Sequence, residues 1–164
     1  MTKSPEQIKN QLEFWFLKYF DKTKEDFNGK EKFTLFELVD EIVNEKVINQ
    51  ASLMSNEIPV FILEISEENY VIATTERFIK LEGSAFNEIN YREFSGHSGY
   101  KEVTIVRKGF RKVADVKTEG LLKEFGIKKT DGTVIYWIIP TGTSGFAFWN
   151  VTKRCELVGR KYLE

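Results

Sequence analysis

The chain has 164 residues, 41% of them hydrophobic, the length and composition of one globular domain with a sizeable core, which excludes a disordered chain, a collagen-like repeat and a disulfide-stapled miniprotein. Its 24 Lys and Arg nearly cancel 25 Asp and Glu, leaving a formal net charge of -1, so no overall field draws it to nucleic acid or anionic lipid. A lone cysteine, Cys155, forms no internal bridge, and neither an apolar leader nor a spanning-length apolar run stands in the sequence, so a soluble, cytoplasmic protein is expected.

Ser4-Pro5-Glu6-Gln7 has the spacing of a capping box with proline at the first helical position, and Ile8, Leu12, Trp15, Phe16 and Tyr19 follow at helical steps. Consecutive Phe14-Trp15-Phe16 cannot share one face, so either the helix is buried on two sides, between the sheet and the second helix, which is the favoured reading, or part of it offers an exposed apolar patch. Asn28-Gly29 marks a turn. Thr34 and Glu37 then read as a second capping box, with Phe33 and Leu38 at the staple positions, and predict a helix from Leu35 to about Val47 with Ile42 inward.

After Pro59 the hydrophobic period becomes strand-like. Strands are predicted at Val60 to Ile65, Tyr70 to Thr74, Arg77 to Leu81, Ile89 to Phe94, Val103 to Arg107, within Lys112 to Lys117, at Leu122 to Lys128 and at Thr133 to Ile139. Asp131-Gly132 is a hairpin signal between the last two. From Ser144 to Tyr162, Phe148, Val151, Cys155, Val158 and Tyr162 recur at helical spacing. The expectation is one α+β domain over residues 1–164: a helical N-terminal part (1–50), then an antiparallel sheet bent into a barrel or sandwich and a closing helix (57–162).

The segment Glu68 to Ile79 with Ile89 to Phe94 resembles the strand rhythm of bacterial pleckstrin-homology-like (PH-like) domains, and Asp131 to Ile135 through Phe146 to Trp149 resembles that family's last hairpin and capping helix. The resemblance covers roughly residues 57–162 and implies a helix-capped barrel and, first among activities, phosphoinositide binding. That activity depends on basic residues in the first strands and their connecting loop. Here the loop carries Glu67 and Glu68, which counts against headgroup binding there.

His97 sits in Ser95-Gly96-His97-Ser98-Gly99, which reads as a loop. A His97–Cys155 couple is the one enzyme reading the sequence offers, and it ranks last, since Cys155 falls on an apolar helical face. One His and one Cys are too few for a zinc site, so neither metal nor cofactor is expected. Charge is uneven along the chain. Residues 51–93 hold eight glutamates against three cations, and Tyr100 to Gly132 hold nine cations against five carboxylates.

Two binding surfaces follow. The leading expectation is a non-catalytic protein-binding module, in the manner of bacterial immunity proteins that neutralise basic toxins, using Glu67, Glu68, Glu88 and Glu93 with Trp137 as an outward anchor. The alternative is peripheral binding to anionic lipid through Arg107, Lys108, Arg111 and Lys112, which flank Phe110. Nucleic acid is a weaker third partner for that cluster, because the domain as a whole is not basic.

Overall fold

The computed structural model describes residues 1–164. Helix α1 (Pro5–Phe20) starts on its capping box: Gln7 N–H donates to Ser4 Oγ at 3.2 Å and Ser4 N–H to Gln7 Oε1 at 2.9 Å. Ile8, Leu12 and Phe16 are buried, whereas Phe14 is 57% exposed, so the aromatic triplet is not enclosed on two sides. Glu13, on the buried face, joins Glu37, Lys9 and Lys24 in a ring of ion pairs that ties α1 to the two short turns at 24–26 and 36–38.

The second helix begins later than the sequence predicts. Phe33–Leu35 is instead a strand, β1, because all three side chains are buried and the backbone pairs antiparallel with β2 (Pro59–Ser66), Phe33 opposite Leu63. Thr34 caps nothing and its hydroxyl is buried without a partner, while the Glu37 carboxylate is held by Lys24. Helix α2 (Glu41–Ala51) is capped by Asp40, whose Oδ1 accepts from Val43 N–H at 2.9 Å. Its inward residues are Val47 and Ala51, and Ile42 is 80% exposed.

Strands β3 (Asn69–Thr74), β4 (Arg77–Glu82) and β5 (Ala85–Asn90) complete an antiparallel sheet in the order β1-β2-β3-β4-β5. One face gives Phe61, Leu63, Val71, Ala73, Phe78 and Ile89 to the main core. The opposite face puts Ile62, Ile72, Ile79 and Leu81 under α2 with Val47 and Ala51. Burial on both faces explains why β2, β3 and β4 read as nearly continuous apolar runs, whereas the edge strand β5 is mostly exposed.

The single strand predicted over Ile89 to Phe94 is broken by a 3-10 turn, Tyr91–Glu93, after which β6 (Phe94–Tyr100) enters a second sheet. That sheet has the order β10-β9-β6, with β9 (Leu122–Lys129) and β10 (Val134–Pro140) joined at Asp131-Gly132, where Asp131 accepts from Thr133 N–H at 2.8 Å. Phe125, Ile127, Trp137 and Ile139 face the main core. Helix α3 (Thr143–Thr152) and the closing segment Cys155–Tyr162 add Phe148, Val151, Cys155 and Val158 to the same core. Gly99 is required there: its φ is +90° and a Cβ would stand 2.4 Å from the Trp149 ring.

The molecule is thus α+β, with two antiparallel sheets, a separate hairpin and three main helices, and no closed barrel forms. No helix is long and apolar enough to cross a membrane.

Candidate functional site

The separate hairpin consists of β7 (Ile105–Lys108) and β8 (Arg111–Ala114). Lys108 lies opposite Arg111, so Gly109-Phe110 is a two-residue turn, and Gly109 at φ +63° supplies the left-handed conformation such a turn needs. Phe110 at the tip is fully exposed, and Ile105 is also in solvent.

The charges on this hairpin work against it. Arg107 faces Lys112 and Lys108 faces Arg111, directly across the ladder, an arrangement that destabilises a strand pair. None of the four joins an ion pair; the only side-chain bond among them is Lys108 Nζ to Thr118 Oγ1 at 3.1 Å.

The base of the hairpin, by contrast, is pinned. Asp115 N–H donates to Thr104 O at 2.7 Å, and Asp115 Oδ1 accepts from Thr104 N–H at 3.0 Å. The Asp115 carboxylate also pairs with Lys123, whose Nζ donates to Glu102 O at 3.0 Å. Lys123 above all, with the Thr104 N–H, lowers the Asp115 pKa below its usual value. A rigid base therefore carries a free, cationic, aromatic tip. Sequence reasoning found the four cations but missed the pin, because Thr104 and Asp115 meet only when the hairpin closes and Lys123 reaches Asp115 from β9, which pairs with neither hairpin strand.

The acidic residues do not gather into one surface. Glu67 and Glu68 sit at the β2–β3 turn, while Glu93 lies past the far end of β5, at the opposite end of the sheet. Most of them are already neutralised. Glu68 bonds Lys46 Nζ of α2 at 2.6 Å, which lowers its pKa, and Glu93 pairs with Lys129 at 3.6 Å. Glu88 pairs with Arg77, which is also gripped by both oxygens of Glu57 at 2.8 and 2.9 Å and donates to Ser52 O at the end of α2. The Glu57 side chain has 0% exposure. Burial pushes its pKa up, but the bonds from Arg77 and Thr74 outweigh burial and hold it below the usual value. Only Glu67 of the four proposed contact glutamates is without an ion pair.

Trp137 is not an outward anchor. Strand alternation turns it into the core at 5% exposure and puts Tyr136 outside at 41%, with Lys101 Nζ 4.9 Å from its ring centroid.

His97 lies in β6 rather than in a loop, because Gly96 and Gly99 mark the two irregularities of its pairing with β9. Its ring packs on Phe94 and Phe125, centroids 4.8 and 5.0 Å away, with Phe148 and Phe78 a little further. Thr152 Oγ1 donates to Phe148 O at 2.5 Å, so it accepts from His97 Nε2–H at 2.8 Å, and His97 Nδ1 is buried without a partner. Burial lowers the His97 pKa to about 3 and raises that of the Cys155 thiol to about 12. The imidazole, half-buried against Thr152, is thus neutral, and the thiol, buried beside Tyr91, is protonated. No group of three His, Cys, Asp or Glu side chains is placed to hold a metal ion.

No family profile, curated protein or solved structure matches the chain.

Proposed function

We propose that the chain is a cytoplasmic, non-catalytic binding protein, a variant of the PH-like fold, that docks peripherally on anionic membrane surface through the β7–β8 hairpin. The observation that carries this reading is the pair of like-charge contacts across the hairpin beneath a fully exposed phenylalanine. The fold leaves this repulsion uncompensated, and phosphates of an anionic surface would relieve it.

The magnitudes describe a weak, reversible anchor. Four cations near an anionic leaflet contribute about 1 kcal/mol each. Phe110 adds about 2 kcal/mol if its ring leaves water. A total of about 6 kcal/mol corresponds to a Kd between roughly 1 μM and 1 mM. The reading in which an acidic face takes a protein partner such as a basic toxin has less support, because Glu68, Glu88 and Glu93 already hold cations of the same chain.

Co-sedimentation with vesicles tests the proposal. Phosphatidylserine-containing vesicles should pellet the protein at low salt and release it as salt rises, phosphatidylcholine vesicles should not, and Phe110→Ala should weaken binding by about thirtyfold. Equal pelleting by both vesicle types, or no effect of salt, would count against it.

A further inference from the structure

The first and third helices pack together, and their C-terminal turns meet at a groove of about 270 Å³ lined by Trp15, Lys18, Tyr19, Asn150, Lys153 and Arg154. The lining contains three cations and no carboxylate. None of the three cations takes part in an ion pair; those of the molecule lie elsewhere. The groove shares no residue with the β7–β8 hairpin.

Several of these groups are held in place. Asn150 Nδ2 donates to Phe146 O at 2.9 Å, and its Oδ1 accepts from Lys153 Nζ at 3.3 Å. The Arg154 guanidinium lies 5.5 Å from the Trp15 ring centroid. Tyr19 is partly exposed, and its ring is braced edge-on by Phe20 at 5.0 Å.

Helix ends explain part of this charge, since a cation in a last turn offsets the partial negative charge of the carbonyls there. Lys18 serves the end of α1 and Lys153 the end of α3. Arg154 is surplus to that account and is laid over an aromatic ring on the same groove. In a chain of net charge -1, three converging cations without counter-ions make a local site for negative charge. Beside them Tyr19, which is exposed and lines the same groove, supplies an aromatic ring for stacking.

We infer that this groove binds a mononucleotide, with Lys18, Lys153 and Arg154 on the phosphate and Tyr19 against the base. The volume falls just under the range of roughly 300–1,000 Å³ usual for small-molecule pockets, the scale of one mononucleotide and not of a strand.

Titration calorimetry with adenosine 5′-monophosphate, adenosine and inorganic phosphate tests this. The nucleotide should bind, each half alone should bind more weakly, and added salt should weaken the nucleotide. Lys153→Gln with Arg154→Gln should reduce nucleotide affinity by about tenfold or more. Tyr19→Leu should bring the nucleotide down to the affinity of phosphate. Lys18→Gln, at the end of the other helix, gives an independent reading if the double variant unfolds. Absence of heat with the nucleotide at millimolar concentration would overturn the inference. So would unchanged affinity in folded charge variants, and phosphate binding as tightly as the nucleotide would remove the role of the ring.

Discussion

The acidic stretch of residues 57–93 and the basic hairpin of residues 105–114 look like mirror images in the sequence, but the folded chain treats them in opposite ways. Glu68 and Glu93 hold Lys46 and Lys129 from distant parts of the chain, and Glu57 and Glu88 share Arg77. Arg107, Lys108, Arg111 and Lys112 hold no anion and face one another. A count of charges along a chain therefore does not measure the charge a surface has to offer. The charge left over after internal pairing does, and at the hairpin tip all four cations are left over.

The sharpest contrast is in stability. Arg77→Ala leaves the enclosed Glu57 carboxylate without its counter-ion and should cost about 3 kcal/mol, read from the urea midpoint. Arg107→Glu converts a repulsive cross-strand pair into an attractive one and should leave the midpoint unchanged or raise it slightly. Equal losses for the two would erase the distinction between spent and unspent charge.

The interior provides an intermediate effect through His97. Its folded pKa of about 3 lies below the ordinary value of 6.5, so the unfolded chain binds the proton more readily. Stability is then complete above pH 6.5 and falls as pH drops toward 3, by up to about 1.4 kcal/mol per pH unit. Carboxylates such as Glu57 and Glu37, whose pKa values are lowered, contribute their own losses only below their usual titration range. Between pH 6.5 and 5 the slope belongs to His97, and urea midpoints of the wild type and His97→Phe across that window should diverge. Parallel curves would show that the ring does not titrate with folding.

The smallest effect is expected at Glu68. Its bond to Lys46 lies at the surface, so Glu68→Gln should not move the urea midpoint measurably.

Local signals were legible in the sequence wherever the chain settles a question within a few residues. The Ser4–Gln7 capping box and the Asp131-Gly132 hairpin are both present as written, and the alternation of strands after Pro59 gives the antiparallel sheets. Thr34 and Glu37 misled, because pairing of Phe33–Leu35 with β2 outweighs a local cap. Gly96 and Gly99 misled as well, since they accommodate irregular pairing and the close approach of Trp149, where a loop was expected. The acidic surface was illegible for a different reason. Lys46 and Lys129 are brought in by α2 and β9 from outside the stretch, and Arg77, which lies within it, reaches Glu57 and Glu88 only when β4 takes its place in the sheet. The cations of the hairpin were legible because both strands and their turn lie within ten residues.

Vesicle binding of two charge-reversal pairs tests the central claim most directly. Arg107→Glu with Lys112→Glu reverses the hairpin, and Glu68→Lys with Glu93→Lys reverses two residues of the acidic stretch. The hairpin pair should abolish binding to phosphatidylserine-containing vesicles, and the acidic pair should leave it intact or strengthen it. Retained binding in the hairpin pair would contradict the account.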